Sequence, residues 1–166
     1  MKYVVTGGAG FIGSHITKKL VERGDVVTVI DNMNTGKKKN LESVISRINF
    51  VRGDILDIDL LEDITKNADG VFHQAALASV QDSFDEPGKY HNVNVNGTEN
   101  ILKLSKKYGF KVVYASSSSV YGNPISIPIK ESDEKNPINP YADTKLKKEE
   151  LAIKYSKADF KVLDSA

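Results

Sequence analysis

Short runs of β-branched and aromatic residues alternate with longer amphipathic segments along the whole chain. That alternation restricts the fold more than any single motif. KYVVT (2–6) reads as a buried strand, and FIGSHITKKLVERG (11–24) carries apolar residues at helical spacing before stopping at a glycine. VVTVID (26–31) is a second strand, NLESVISRI (40–48) a short helix and NFVRGD (49–54) a third strand. DLLEDITKN (59–67) is helical and GVFHQAA (70–76) a strand. NVNGTENILKLSKKYG (94–109) is a helix ending on Gly109, KVVYASS (111–117) a strand, and PYADTKLKKEELAIKYSK (140–157) a long charged helix. FKVL (160–163) opens a sixth strand. Strands separated by helices of this length require right-handed crossovers, and so a parallel sheet covered on both faces. The expected fold is a doubly wound α/β sheet in one domain, with no internal repeat and no interdomain linker.

The totals exclude several function classes. At 166 residues, with 40% hydrophobic and 27% charged residues, the chain can bury one core of ordinary size. A net charge of +1 provides no electrostatic footprint for nucleic acid or an anionic membrane surface. There is no cysteine, hence no disulfide and no thiolate metal site, which fits a reducing cytoplasm. MKYVVTGGAGF reaches glycine too early for a signal peptide, and no apolar run is long enough to span a bilayer. Three scattered histidines make no metal site.

VVTGGAGFIGSH places Gly8, Gly10 and Gly13 in G-x-G-x-x-G spacing, with Gly7 extending it to G-x-x-G-x-x-G. Glycine-rich turns are common, but this one follows a strand, opens a helix, and is followed by Asp31 at the end of the next strand. That context is what a dinucleotide site requires. The glycines let backbone N–H groups approach a pyrophosphate at the positive end of the helix dipole. Asp31 is positioned to accept from the adenosine ribose hydroxyls and to repel a 2′-phosphate, so NAD is expected over NADP. The three lysines at 37–39 lie well past Asp31 and read as a solvated helix start.

In PYADTK, Tyr141 and Lys145 stand four residues apart, on one face of a helix. A neighbouring ammonium favours the phenolate, the form that acts as a base. Alone this pair is a weak signal, and a surface pair is its usual explanation. The run YASSSSVYGNP (114–124) decides the matter. Serine-rich runs are usually flexible spacers, but this one ends a strand, and the carboxyl ends of parallel strands near the switch point are where ligands bind. A hydroxyl delivered there can bond the substrate oxygen that the tyrosine deprotonates. His73 reads as a core histidine satisfied by local hydrogen bonds, and Asp133 and Glu134 as solvated groups in a proline-bounded loop.

Together these segments resemble the extended short-chain dehydrogenase/reductase family, and within it the NAD-dependent nucleotide-sugar epimerases and dehydratases. Seven motifs carry the likeness in the family's order: TGGAGFIGSH, DN at 31–32, GDI at 53–55, HQAA at 73–76, NVNGT at 94–98, SSSSVYG at 116–122 and PYADTK at 140–145. The resemblance implies a Rossmann sheet with NAD as cofactor. It puts Gly7, Gly10, Phe11, Ile12 and Gly13 along the pyrophosphate and Asp31 and Asn32 at the adenosine ribose. Asp54 and Ile55 would flank the adenine, Ala75, Ala76 and Leu77 the nicotinamide half, and Asn94 would support the site. Tyr141 and Lys145 take the catalytic pair. The catalytic hydroxyl falls on Ser117, four residues before the tyrosine of VYG, with Ser116 and Ser118 as the alternatives if that register shifts by one.

The dehydratases of this family follow the hydroxyl with an Asp-Glu pair, where this chain has Ser118 and Ser119, so dehydration is disfavoured. HQAALASV with the serine run looks most like UDP-hexose 4-epimerases, including those for N-acetylated sugars. The resemblance further implies a cytoplasmic homodimer built on the helices at 94–108 and 140–156. The family continues for roughly as many residues again, into the last strands and a small substrate-binding domain. Residues 1–166 are therefore expected to be the Rossmann domain alone, the C-terminal domain being absent. Two functions stay open: a 4-epimerase, or a catalytically silent NAD-binding module.

Overall fold

The computed structural model describes residues 1–156 and 162–165. Six strands form one sheet: β1 (Lys2–Thr6), β2 (Val26–Asp31), β3 (Asn49–Arg52), β4 (Gly70–His73), β5 (Lys111–Ala115) and β6 (Val162–Ser165). Their order is β3-β2-β1-β4-β5-β6, and every neighbouring pair is parallel. The helices are α1 (Phe11–Glu22), α2 (Ile58–Thr65), α3 (Val80–Asp85), α4 (Pro87–His91), α5 (Gly97–Tyr108) and α6 (Pro140–Ser156). Among the described residues no helix is long and apolar enough to cross a membrane.

Strand periodicity of two explains why both faces are covered. Val4 points to one side, where it packs with Ile30, Val71 and Val112 beneath Leu61 of α2 and Ile101 and Leu104 of α5. Its neighbour Val5 points to the other, joining Val27 and Val29 beneath Leu20 and Val21 of α1. Each such side chain contributes about 1.5–3 kcal/mol through burial. The chain runs outward from β1 to β3, then crosses back to β4 and onward to β5. The order therefore reverses between β1 and β4, and a crevice opens at their carboxyl ends.

The expected fold stands, with local corrections. The helix expected at 40–48 is two 3₁₀ turns, Lys38–Leu41 and Ile45–Arg47. Its buried anchors are only Leu41, at the end of the first turn, and Val44, between the two. A longer helix would have to recover the cost of nucleation from more buried contacts than these two. Strands expected at 49–54, 70–76 and 111–117 stop at Arg52, His73 and Ala115, because the residues beyond them leave the sheet to build the crevice. The sixth strand begins at Val162; residues 160 and 161 lie outside the described residues. The short helices α3 and α4 escaped the periodicity reading. Both carry start signals: the Ser79 side chain accepts from Asp82 N–H to cap α3, and Pro87 opens α4. Ahead of α5, Asn92–Asn96 forms a π-helical turn that buries Asn94 and Val95. Gly109 ends α5 in the left-handed conformation, φ 79°, as its position predicts.

Candidate active site

The glycine turn after β1 is built for close backbone approach. At Gly7, φ is +66°, and a Cβ there would lie 2.7 Å from Ala75 N. At Gly13 a Cβ would lie 2.3 Å from Gly7 O and 2.8 Å from Gly8 Cα, so α1 can meet the turn only through glycine. Gly10 begins α1 with no side-chain cap, and the first helical turn carries no acid. Unsatisfied N–H groups at a positive helix end, unblocked by any side chain, suit an anionic diphosphate. Phe11 and Ile12 stand exposed in that first turn.

Asp31 is buried, and its carboxylate has work within the protein. Oδ2 accepts from Ala9 N at 2.9 Å and Oδ1 from Met33 N at 2.8 Å. The acid therefore ties the glycine turn to the loop after β2. A carboxylate has about four lone-pair sites, so this leaves acceptor capacity toward the crevice. Beside it, Asn32 Nδ2 donates to Asp54 Oδ2 at 2.8 Å, and Asp54 Oδ1 accepts from Leu56 N at 3.0 Å.

The crevice is an open cavity of about 220 Å³. Of the residues expected to hold the cofactor, Gly7, Gly10, Asp31, Asn32, Asp54, Ile55, Ala75, Ala76 and Leu77 line it. Phe11, Ile12, Gly13, Asn94, Tyr141 and Lys145 do not; Gly13 and Asn94 act from behind the lining. The sequence reading missed Asn34, Thr35, Gln74, Lys89 and Val93. Lys89 and Val93 come from α4 and the turn after it, and recognising the Ser79 cap and Pro87 would have placed them.

Asn94 shows how the far wall is held. It is 1% exposed, and its Oδ1 accepts from Leu77 N at 2.8 Å while Nδ2 donates to Leu77 O at 3.0 Å. The same Nδ2 donates to Thr144 Oγ1 at 3.0 Å, one residue from Lys145 on α6. His73 is fully buried between two threonine hydroxyls, as a satisfied core histidine should be.

Outside the lining of that cavity, α6 sets Tyr141 in its first turn, where Tyr141 N donates to Ser83 Oγ at 3.2 Å. Lys145 Nζ lies 5.7 Å from the Tyr141 ring centroid and donates to Ala115 O, the last residue of β5, at 3.1 Å. Lys145 is 5% exposed. Burial pushes its ammonium down to about 8, and the Glu149 carboxylate one turn along opposes that shift. The serines are no spacer. Ser117 caps a 3₁₀ turn, Ser118–Tyr121, by accepting from Ser119 N at 3.2 Å. Its hydroxyl also shares a hydrogen bond with the Ser119 hydroxyl at 2.8 Å, in which either can donate. Ser116 donates to Glu149, which also pairs with Lys135. Ser118 is exposed.

A doubly wound parallel sheet whose switch-point crevice is floored by an uncapped glycine-rich helix start defines a dinucleotide-binding domain. The chain belongs to the NAD dependent epimerase/dehydratase family, whose profile matches residues 3–163, and membership makes NAD its cofactor. It is 43% identical over 157 residues to a putative UDP-glucose 4-epimerase of Methanocaldococcus jannaschii, covering 93% of this chain and 50% of that protein. It is similar in structure to the UDP-glucose 4-epimerase of Brucella ovis in complex with NAD. There the TM-score is 0.91 at 37% identity, over 98% of this chain and 50% of that one. The UDP-N-acetylglucosamine 4-epimerase of Methanobrevibacter ruminantium, solved with UDP-N-acetylmuramic acid, matches with a TM-score of 0.93 at 38% identity. The match covers 98% of this chain and 53% of that one. The chain spans about half the length of the curated relatives it matches.

Proposed function

We propose that this protein is an NAD-dependent UDP-hexose 4-epimerase, acting on UDP-glucose/UDP-galactose or the N-acetylated pair, with residues 1–166 as its Rossmann domain. NAD, held by the glycine turn, Asp31, Asn32, Asp54, Ile55 and the 75–77 loop, supplies a reversible hydride acceptor when bound. Tyr141 accepts the proton of the sugar's 4-hydroxyl. Lys145 keeps a positive charge beside the phenol, and the Ser117 hydroxyl bonds the same sugar oxygen as that oxygen changes charge. The observation that carries this reading is the buried Lys145 ammonium, anchored to the end of β5 and facing Tyr141. Ser118 and Ser119, in place of an acidic pair, support epimerisation over dehydration.

The proposal includes a cytoplasmic homodimer, with α5 and α6, which pack against each other, meeting their copies in an isologous interface. The cysteine-free sequence supports that location. Because the relatives are about twice as long, a silent NAD-binding module is the second reading. Inverting a carbon requires the oxidised sugar to turn while its diphosphate stays anchored, and remote anchoring supports turnover itself. Calorimetric titration with NAD and NADP, followed by interconversion assays on UDP-galactose and UDP-N-acetylgalactosamine, separates the two. NAD binding tighter than NADP, with turnover abolished by Tyr141→Phe, establishes the epimerase. NAD binding without turnover limits residues 1–166 by themselves to a binding module, and preference for NADP refutes the role of Asp31.

A further inference from the structure

Gln74 N still bonds Thr6 O of β1 at 3.1 Å, but residues 75–77, which also line the cofactor crevice, lie beyond the last backbone bond to the sheet. Beneath them runs a chain of buried polar groups in which one set of hydrogen-bond directions satisfies every member. Thr98 Oγ1 donates to Asn94 O at 2.6 Å. A hydroxyl has one proton, so its contact with His73 Nε2 at 2.9 Å requires the imidazole to donate there. In a neutral ring Nδ1 is then bare, and Thr6 Oγ1 donates to it at 2.7 Å. Ala75 N completes this end by donating to Thr6 Oγ1 at 3.2 Å. Burial, with the nearby Lys148 and Lys145 ammoniums, keeps the His73 ring neutral, well below the ordinary histidine range.

The chain continues past Asn94. Thr144 Oγ1 spends its proton on Tyr141 O at 2.7 Å and so accepts from Asn94 Nδ2. One polar path therefore joins the strand that launches the glycine turn, the 75–77 loop, the π-helical turn and the first turn of α6.

We propose that His73, as its Nε2–H tautomer, is a positioning residue that locks the 75–77 loop and the Asn94 clasp to the glycine turn. On this assignment one hydrogen-bond chain sets both the NAD-binding wall and the Tyr141–Lys145 helix. The inference rests on the crevice being the NAD site. His73 is fully buried and does not line the crevice; it acts through Thr6 and Thr98. An imidazole serves because it accepts on one side and donates on the other at fixed spacing. A glutamine amide shares that property and a leucine does not.

The test uses the full chain and three variants, His73→Gln, His73→Leu and Thr98→Val, each measured below its melting transition. Imidazole ¹⁵N resonances of the wild-type protein should show protonation at Nε2 and a bare Nδ1. The dissociation constant for NAD should rise about tenfold in His73→Leu and in Thr98→Val, as expected for one unpaired buried polar group. It should return to within about threefold of wild type in His73→Gln, a rescue that loss of general stability does not predict. A proton at Nδ1, or folded His73→Leu and Thr98→Val proteins with wild-type affinity, overturns the assignment. If His73→Leu does not fold, Thr98→Val decides alone. If the wild-type chain binds no NAD, the cofactor reading fails, while the tautomer still tests the hydrogen-bond chain.

Discussion

Replacing Lys145 with methionine keeps most of the buried stem and removes the charge, and its consequence is a change in how stability depends on pH. An unfolded lysine titrates near 10.5, and burial lowers the folded value to about 8. Between those values the unfolded chain holds more protons than the folded one, so stability rises with pH across the window. Below pH 8 the buried ammonium costs about 3 kcal/mol relative to a neutral amine, and that cost disappears as pH climbs toward 10.5. Integrated from pH 7.5 to 9.5, the wild-type protein should gain about 2 kcal/mol over Lys145→Met. Stability at any one pH is less informative. The substitution also removes the bond to Ala115 O, whose loss is worth about 1.5–3 kcal/mol in the opposite direction. Urea unfolding of both proteins at matched pH values, read as the difference in unfolding free energy, isolates the lysine because other titrating groups cancel. Parallel pH curves for the two proteins would refute the reasoning and show Lys145 to be as hydrated as a surface lysine.

Three other outcomes are expected. His73 has its proton affinity depressed by burial, so the wild-type protein should lose stability as pH falls below about 6.5, by up to about 1.4 kcal/mol per unit. His73→Gln should flatten that acid limb in the same urea assay. Gly13→Ala places a methyl 2.3 Å from Gly7 O, a backbone atom that cannot yield without moving the turn. It should cost about 2 kcal/mol in thermal or urea unfolding and abolish measurable NAD binding by calorimetry. Sedimentation equilibrium at micromolar concentration should show a dimer, and Ile153→Glu, on the exposed part of α6, should shift it toward monomer. Monomer alone in the wild-type protein counts against the α5–α6 interface.

Much of the fold is legible in the sequence because periodicity and punctuation are local. Val4 and Val5 alternate across the sheet, Gly24 and Gly109 stop helices, and the glycine run after KYVVT marks a backbone that something must approach closely. Those features fix strand count, direction and the position of the crevice before any contact is known. The site types were legible for a similar reason, since Tyr141 and Lys145 lie on one helical face by spacing alone. What only tertiary structure decided is which polar atoms are already spent. Asp31 divides its carboxylate between Ala9 and Met33, Ser116 is committed to Glu149, and Ser117 shares its hydroxyl with Ser119. The π-helical turn at Asn92–Asn96 and the 3₁₀ turns near Leu41 depend on which neighbours bury them, and no spacing rule encodes that. The chain from Thr6 through His73, Thr98 and Asn94 to Thr144 joins residues 67 positions apart at its first link. Hydrogen-bond partners at that separation exist only once the parallel sheet has brought β1, β4 and two helices together. The sequence alone therefore identifies the histidine but not its tautomer or its task.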